Sequence, residues 1–152
     1  ADPQQVETTA LRPDLKVLDF DAGTAEYAQF AIAMPKSWNL GTVTFQYFWA
    51  PSNTNTGNCI MGLQGVSVSN DDTADVVFGT AQEVTDAGGG AVEDVLVSSV
   101  SSAMTIAGTP ADDDLTFFQL YRDAADGSDT FTGDARLMGI KLFDTTDAAN
   151  DA

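Results

Sequence analysis

Chemistry needs groups that move protons, attack electrophiles or hold metal, and this chain offers few of them. It contains no histidine, so the residue that most often serves as general base and metal ligand is missing. The single cysteine, Cys59, can form neither an internal disulfide nor a multi-cysteine zinc site. Nine serines are present, but no histidine can activate them, and Lys16, Lys36 and Lys141 stand at no spacing that supports a Ser–Lys pair. Gly88-Gly89-Gly90 lacks the lysine and the strand–loop–helix setting of a phosphate-binding loop and reads as a flexible turn. Two carboxylates suffice to cleave a glycosidic bond, yet the abundant acids sit in runs such as Asp112-Asp113-Asp114, where turn formation accounts for them. The expectation is a chain that is not an enzyme, with no catalytic residues and no cofactor.

Binding chemistry leaves more candidates. Hard oxygen ligands for Ca²⁺ could come from Asp71, Asp72 and Asp75, or from Asp123, Asp126, Asp129 and Asp134, a cluster that also holds Gly127. Neither has the spacing of an EF-hand, so a Ca²⁺-stapled loop over the second cluster stands against a solvated loop. Trp38, in the link Pro35–Gly41, reads as a packing residue or as a platform on which a sugar ring stacks. Trp49 is the other candidate for such a loop-end sugar site. Arg122 and Arg136 lie among apolar neighbours near the C-terminal end, where a guanidinium needs a carboxylate partner; they read as structural ion pairs or interface anchors. Arg136 alternates with Met138, Ile140 and Leu142, which places it on the inward face of its strand, paired with an Asp of the loop Asp123–Asp134 or of a neighbouring strand end.

The elements that must position these groups are strands. The acids comprise 19 Asp and only 4 Glu, and Asp favours turns and caps over helix interiors. Strand-like runs alternate with turn clusters: Leu15–Phe20, Tyr27–Met34, Thr42–Ala50, Cys59–Ser69, a weaker Val76–Thr85, Val95–Ile106, Leu115–Asp123 and Ala135–Thr145. In Thr42–Ala50, Val43, Phe45, Tyr47 and Trp49 share one face, while Phe48 makes the other partly apolar. A strand apolar on both faces is central to a core or faces a partner subunit. No stretch carries a capped helical period. About eight strands at this spacing predict an all-β, jelly-roll-like antiparallel sandwich over residues 15–147. Residues 1–14 read as an extended N-terminal arm that packs on a neighbour, and 148–152 as a polar tail.

The chain has 152 residues, 43% of them apolar, enough for one domain with a real core. Its 23 acids against 6 bases give a net charge of −17, and no Lys or Arg occurs from Ser37 to Tyr121. Such a surface repels phosphate backbones and anionic lipid, so neither nucleic acid nor membrane is an expected partner. No 18-residue apolar run suggests a membrane span, and the polar ADPQQVETTALRPD has no signal-peptide core.

A set of motifs carries a family resemblance. Pro35-Lys-Ser-Trp38 stands ahead of Gly41-Thr-Val-Thr-Phe45; the turn Ile106-Ala-Gly-Thr-Pro110, the strand Arg136-Leu-x-Gly-Ile-Lys-Leu-Phe143 and the end Asp147-Ala-Ala-Asn-Asp-Ala152 follow. Together they resemble the small jelly-roll virion structural proteins of tailed bacteriophages, many from phages of marine bacteria. The resemblance spans about Leu15 to Ala152. It implies a place on the particle surface, as a head decoration or fibre protein or a tail-fibre component, in a homotrimer beside other virion proteins, with contact to a host-surface glycan. It brings no catalytic residues. A carbohydrate-binding module, phage-borne or secreted, is the alternative.

The charge pattern makes a prediction of its own. With acids unopposed over more than half the chain, self-repulsion should weaken the fold at low ionic strength, and salt screens it. The thermal midpoint should therefore rise from low salt to seawater-strength NaCl, and CaCl₂ at equal ionic strength should add nothing further. A flat or falling curve would show the acids already neutralised within the fold.

Overall fold

The computed structural model describes residues 1–147, and the tail expected over 148–152 lies outside them. Nine strands follow in chain order: β1 (Asp2–Val6), β2 (Leu15–Phe20), β3 (Glu26–Ala33), β4 (Thr44–Pro51), β5 (Asn58–Val68), β6 (Gln82–Ala87), β7 (Leu96–Val97), β8 (Leu115–Arg122) and β9 (Ala135–Phe143). They form two antiparallel sheets, one ordered β1-β2-β9-β4-β7 and the other β3-β8-β5-β6. The fold is the all-β, jelly-roll-like sandwich that the turn spacing predicts. Among the described residues, no helix is long and apolar enough to cross a membrane.

Alternation decides what enters the core. Val43, Phe45, Tyr47 and Trp49 all point inward and are buried, while Thr44, Gln46 and Phe48 are only half-buried. From the facing sheet come Met61, Leu63, Phe118 and Leu120, and Phe20, Met104 and Phe131 fill the ends. Residues of this size each contribute roughly 1.5–3 kcal/mol when fully withdrawn from water.

Three expectations change. The leader packs on its own domain: Asp2–Val6 pairs in register with Leu15–Asp19 as β1, an edge strand of the same sandwich. Val76-Val77-Phe78 is not a strand. Gly79 docks there instead, its N–H donating to the Gly65 carbonyl at 3.0 Å, with so little room that an added Cβ would meet the Thr105 carbonyl oxygen at 2.7 Å. This pinning leaves Val77 85% exposed and delays β6 to Gln82.

The third change concerns Val95–Ile106. Only β7 is regular there, yet the segment follows β4 to its start. Ser98, Ser101 and Met104 donate their N–H groups to the carbonyls of Tyr47, Phe45 and Val43. Three residues on one side thus match two on the other, a succession of bulges. The serines make this workable. The Ser101 hydroxyl oxygen accepts the Phe45 N–H at 3.0 Å, and the Ser98 hydroxyl oxygen accepts the Tyr47 N–H at 3.0 Å. Each side chain takes the place of the carbonyl that a regular ladder would supply, which is why this Ser-rich run closes the sheet edge.

Replacing Ser101 by Ala should strand the buried Phe45 N–H. The expected loss is about 1–3 kcal/mol, read as a lower denaturant midpoint at unchanged slope, whereas Ser102→Ala, on the exposed side, should be nearly neutral.

Candidate functional site

The best-built polar site surrounds Arg122. Its side chain is fully buried at the end of β8, and all five of its N–H donors are used. Nε and one terminal nitrogen donate to the two carboxylate oxygens of Asp129, at 3.0 and 2.7 Å. The remaining three go to the carbonyls of Phe20 (3.2 Å), Gly133 (2.7 Å) and Phe131 (2.6 Å). The guanidinium also lies 5.7 Å from the centroid of the Phe131 ring, which meets Trp49 edge-on. Burial alone would pull the Arg122 pKa down, but the Asp129 carboxylate outweighs it and holds it above its ordinary value. This is a structural ion pair, as the sequence suggests, and its partner comes from the loop between β8 and β9.

That pairing removes the Ca²⁺ candidate. Asp129 spends both oxygens on Arg122 and one also accepts the Ile60 N–H, while the Asp126 carboxylate accepts the Ser128 N–H in a local turn. Asp123, Asp126, Asp129 and Asp134 do not converge, nor do Asp71, Asp72 and Asp75; among the described residues no group of three or more such side chains is placed to hold a metal ion. The Arg122 guanidinium staples this loop in place of a metal ion.

Both tryptophans are core residues, which removes the loop-end sugar platform. Trp38 and Trp49 are buried. The Trp49 indole N–H donates to Asp86 at 2.8 Å. Trp38 sits where Asn39 and Asp147 pair the Pro35–Gly41 link with residues 145–147. Cys59 is equally inert: burial, its largest influence, pushes the thiol up to about 12, and a protonated, enclosed thiol is no nucleophile.

Arg136 does not face the core. Phe48 pairs with Gly139 and Trp49 with Leu137, so Met138 is an extra residue and β9 changes phase there. Ala135 and Leu137 point inward before the bulge, Ile140 and Leu142 after it. Arg136 is 21% exposed and lies 3.8 Å from Asp19, its direct neighbour on β2. The separation gives an ion pair without a hydrogen bond, and neither facing atom has another hydrogen-bond partner among the described residues. Burial raises the Asp19 carboxyl above its usual range despite this neighbour.

A surface with a different character covers the outer side of the β3-β8-β5 sheet. Tyr27 on β3 pairs with Tyr121 on β8, and Gly62 on β5 lies on the far side of Tyr121; in the next row Gln29, Gln119 and Gln64 stand side by side. Gln64 donates to Gln119 at 2.7 Å. A Cβ on Gly62 would come within 2.7 Å of two ring carbons of Tyr121 and of its hydroxyl oxygen, so the ring lies across the glycine, and its hydroxyl donates to Glu83 on β6 at 2.8 Å. The Tyr27 ring centroid is 5.9 Å from that of Tyr121, and Tyr27 is 56% exposed. Glu83 is the one charged side chain on the outward positions of these four strands. Sequence reasoning passed over these residues, although a signal exists: Tyr27-Ala-Gln29 and Gln119-Leu-Tyr121 are mirror images, as two antiparallel strands in register require. Comparison with family models, curated proteins and solved structures finds no match.

The two arginines should separate cleanly on mutation. Arg122→Met strands a buried carboxylate and should lower stability by about 3–5 kcal/mol. Arg136→Met breaks a partly solvated pair and should lower it by less than about 1 kcal/mol. Denaturant midpoints decide, and equal losses would place Arg136 in the core after all.

Proposed function

We propose that the chain is a non-enzymatic structural protein of a bacteriophage particle, a head decoration or fibre protein or a tail-fibre component, that works by self-association. The observation that carries this reading is the open flank of the sandwich. There a groove of about 790 Å³ runs between the sheets, walled by Leu18, Phe30, Ile32, Leu137, Met138 and Ile140. Beside it runs β3, an edge strand of eight residues whose only charge is Glu26 at its start. Edge strands in monomers are usually short, charged or interrupted. The other three edges here obey that rule: β1 carries Asp2 and Pro3, β6 carries Glu83 and Asp86, and β7 has two residues.

A second copy is the occupant this flank suits, because bare strand edge and apolar wall lie together; the only acid on β3 is Glu26 at its start, and the charged side chain lining the groove is Lys16, a base that does not repel another −17 chain. The sequence resemblance to jelly-roll virion proteins supports a closed three-fold arrangement. The absence of histidine and the inert Cys59 are in keeping with a role in assembly. Sedimentation at about 0.5 M salt, where the Debye length is under about 5 Å, should find a species of three times the 16.0 kDa chain mass. Met138→Glu, on the groove wall, should return it to monomer with its circular dichroism intact. Wild-type protein that sediments only as monomer would sink the proposal.

A further inference from the structure

We infer that the outer face of the β3-β8-β5 sheet is a binding platform for a neutral glycan, with pyranose rings seated on Tyr27 and Tyr121 and their hydroxyls held by Gln29, Gln119 and Gln64. The inference does not rest on the particle assignment, and it uses the opposite side of the sheet from the flank groove.

Three features carry it. The first is the way Tyr121 is laid down. Strand neighbours normally stand up from a sheet, but Gly62 leaves the space for the Tyr121 ring to lie across β5, and Glu83 holds its hydroxyl at 2.8 Å on the far strand. A ring fixed flat offers its electron-rich face outward, and that face attracts the polarised C–H bonds on one side of a sugar ring. Tyr27 extends the aromatic surface one strand further, at 5.9 Å between centroids. The second is the adjoining row of glutamines. A sugar hydroxyl both donates and accepts, and so does a carboxamide; three carboxamides in register along one row match a ligand that presents hydroxyls repeatedly. A purely apolar protein partner would bury those amides with much of their hydrogen-bonding capacity unmet, since Gln64 and Gln119 satisfy each other only in part. The third is charge. In a chain of net −17 the face has one carboxylate, Glu83, already engaged by Tyr121. An anionic polysaccharide would be repelled by the surrounding acids, which leaves neutral sugars as the class that fits.

Calorimetric titration of the intact chain tests this with cellohexaose, mannohexaose and a dextran hexamer as neutral probes and hexagalacturonate as the anionic one. At least one neutral probe should bind, hexagalacturonate should bind at least tenfold more weakly, and Tyr27→Ala should weaken the neutral probe at least tenfold. Tyr27 is exposed, so this variant should keep the wild-type melting curve; Gln29→Ala, also exposed, gives a second reading at the same face. No heat from any neutral probe up to about 10 mM, a range that still detects millimolar affinity, overturns the proposal. Undiminished binding by Tyr27→Ala overturns it too. If Tyr27→Ala changes the sedimentation mass and no sugar binds, the face is a contact between copies and the glycan reading fails, whereas monomeric protein that binds sugar would leave it standing while the assembly reading falls.

Discussion

One guanidinium ties the sandwich together. Arg122 ends β8 in one sheet and bonds to the carbonyl of Phe20 at the end of β2 in the other. Its bonds to Phe131, Gly133 and Asp129 fold the long β8–β9 connection back onto the core, and Asp129 reaches on to the backbone of Ile60 in β5. A charge can be this deeply enclosed only if every donor is met, since each unmet one would add the desolvation of a charged group. Arg meets that demand better than Lys because its donors form a fixed planar fork, two prongs for a carboxylate and the others for carbonyls. The geometry of the loop is therefore dictated by the guanidinium: its carbonyls must point inward, and Phe131 must lie alongside, where it also closes the end of the core against Trp49.

Charge is sorted sharply over the rest of the surface. Most of the acids lie in loops, and no Lys or Arg occurs from Ser37 to Tyr121 to offset them. Two regions escape this pattern, the open flank beside β3 and the Tyr–Gln face of the same sheet. Both include β3, the one long edge strand whose only charge is at its start. A strongly acidic surface with two neutral areas is directional: copies and ligands approach where the field is weakest and the contact surface richest. The proposals for assembly and for glycan binding are both consequences of this sorting.

Much of the fold was legible in the chain. Leu15–Phe20 has the same limits as β2, and β4, β5, β8 and β9 lie within a few residues of their expected runs, because Val, Ile, aromatic and Thr residues alternate there between clear turn clusters. Arg122 as a buried ion pair was legible for a simple reason, namely that a guanidinium between apolar neighbours must find a carboxylate. The misreadings share a cause. Unbroken alternation through β9 puts Arg136 inward, and the bulge at Met138 reverses it. Val95–Ile106 has strand composition, yet serine hydroxyls replace its ladder. The acids of the β8–β9 loop have the composition of a Ca²⁺ site, but one of them was already committed to a residue seven positions away in sequence.

By itself the sequence determined the class of structure, the direction of the charge and the lack of histidine chemistry, since these follow from composition and short-range periodicity, which any conformation of the chain inherits. The tertiary structure decided which of several acids Arg122 captures, where β9 changes phase, that both tryptophans are enclosed, and that Tyr27, Gln29, Gln64, Gln119 and Tyr121 share one face. Each of these depends on strand order and register. Register is a property of pairs of strands distant in sequence: Gln64 and Gln119 are neighbours only because β5 lies beside β8 with these residues opposite, and a slip by one position would turn every one of those side chains to the other side of the sheet.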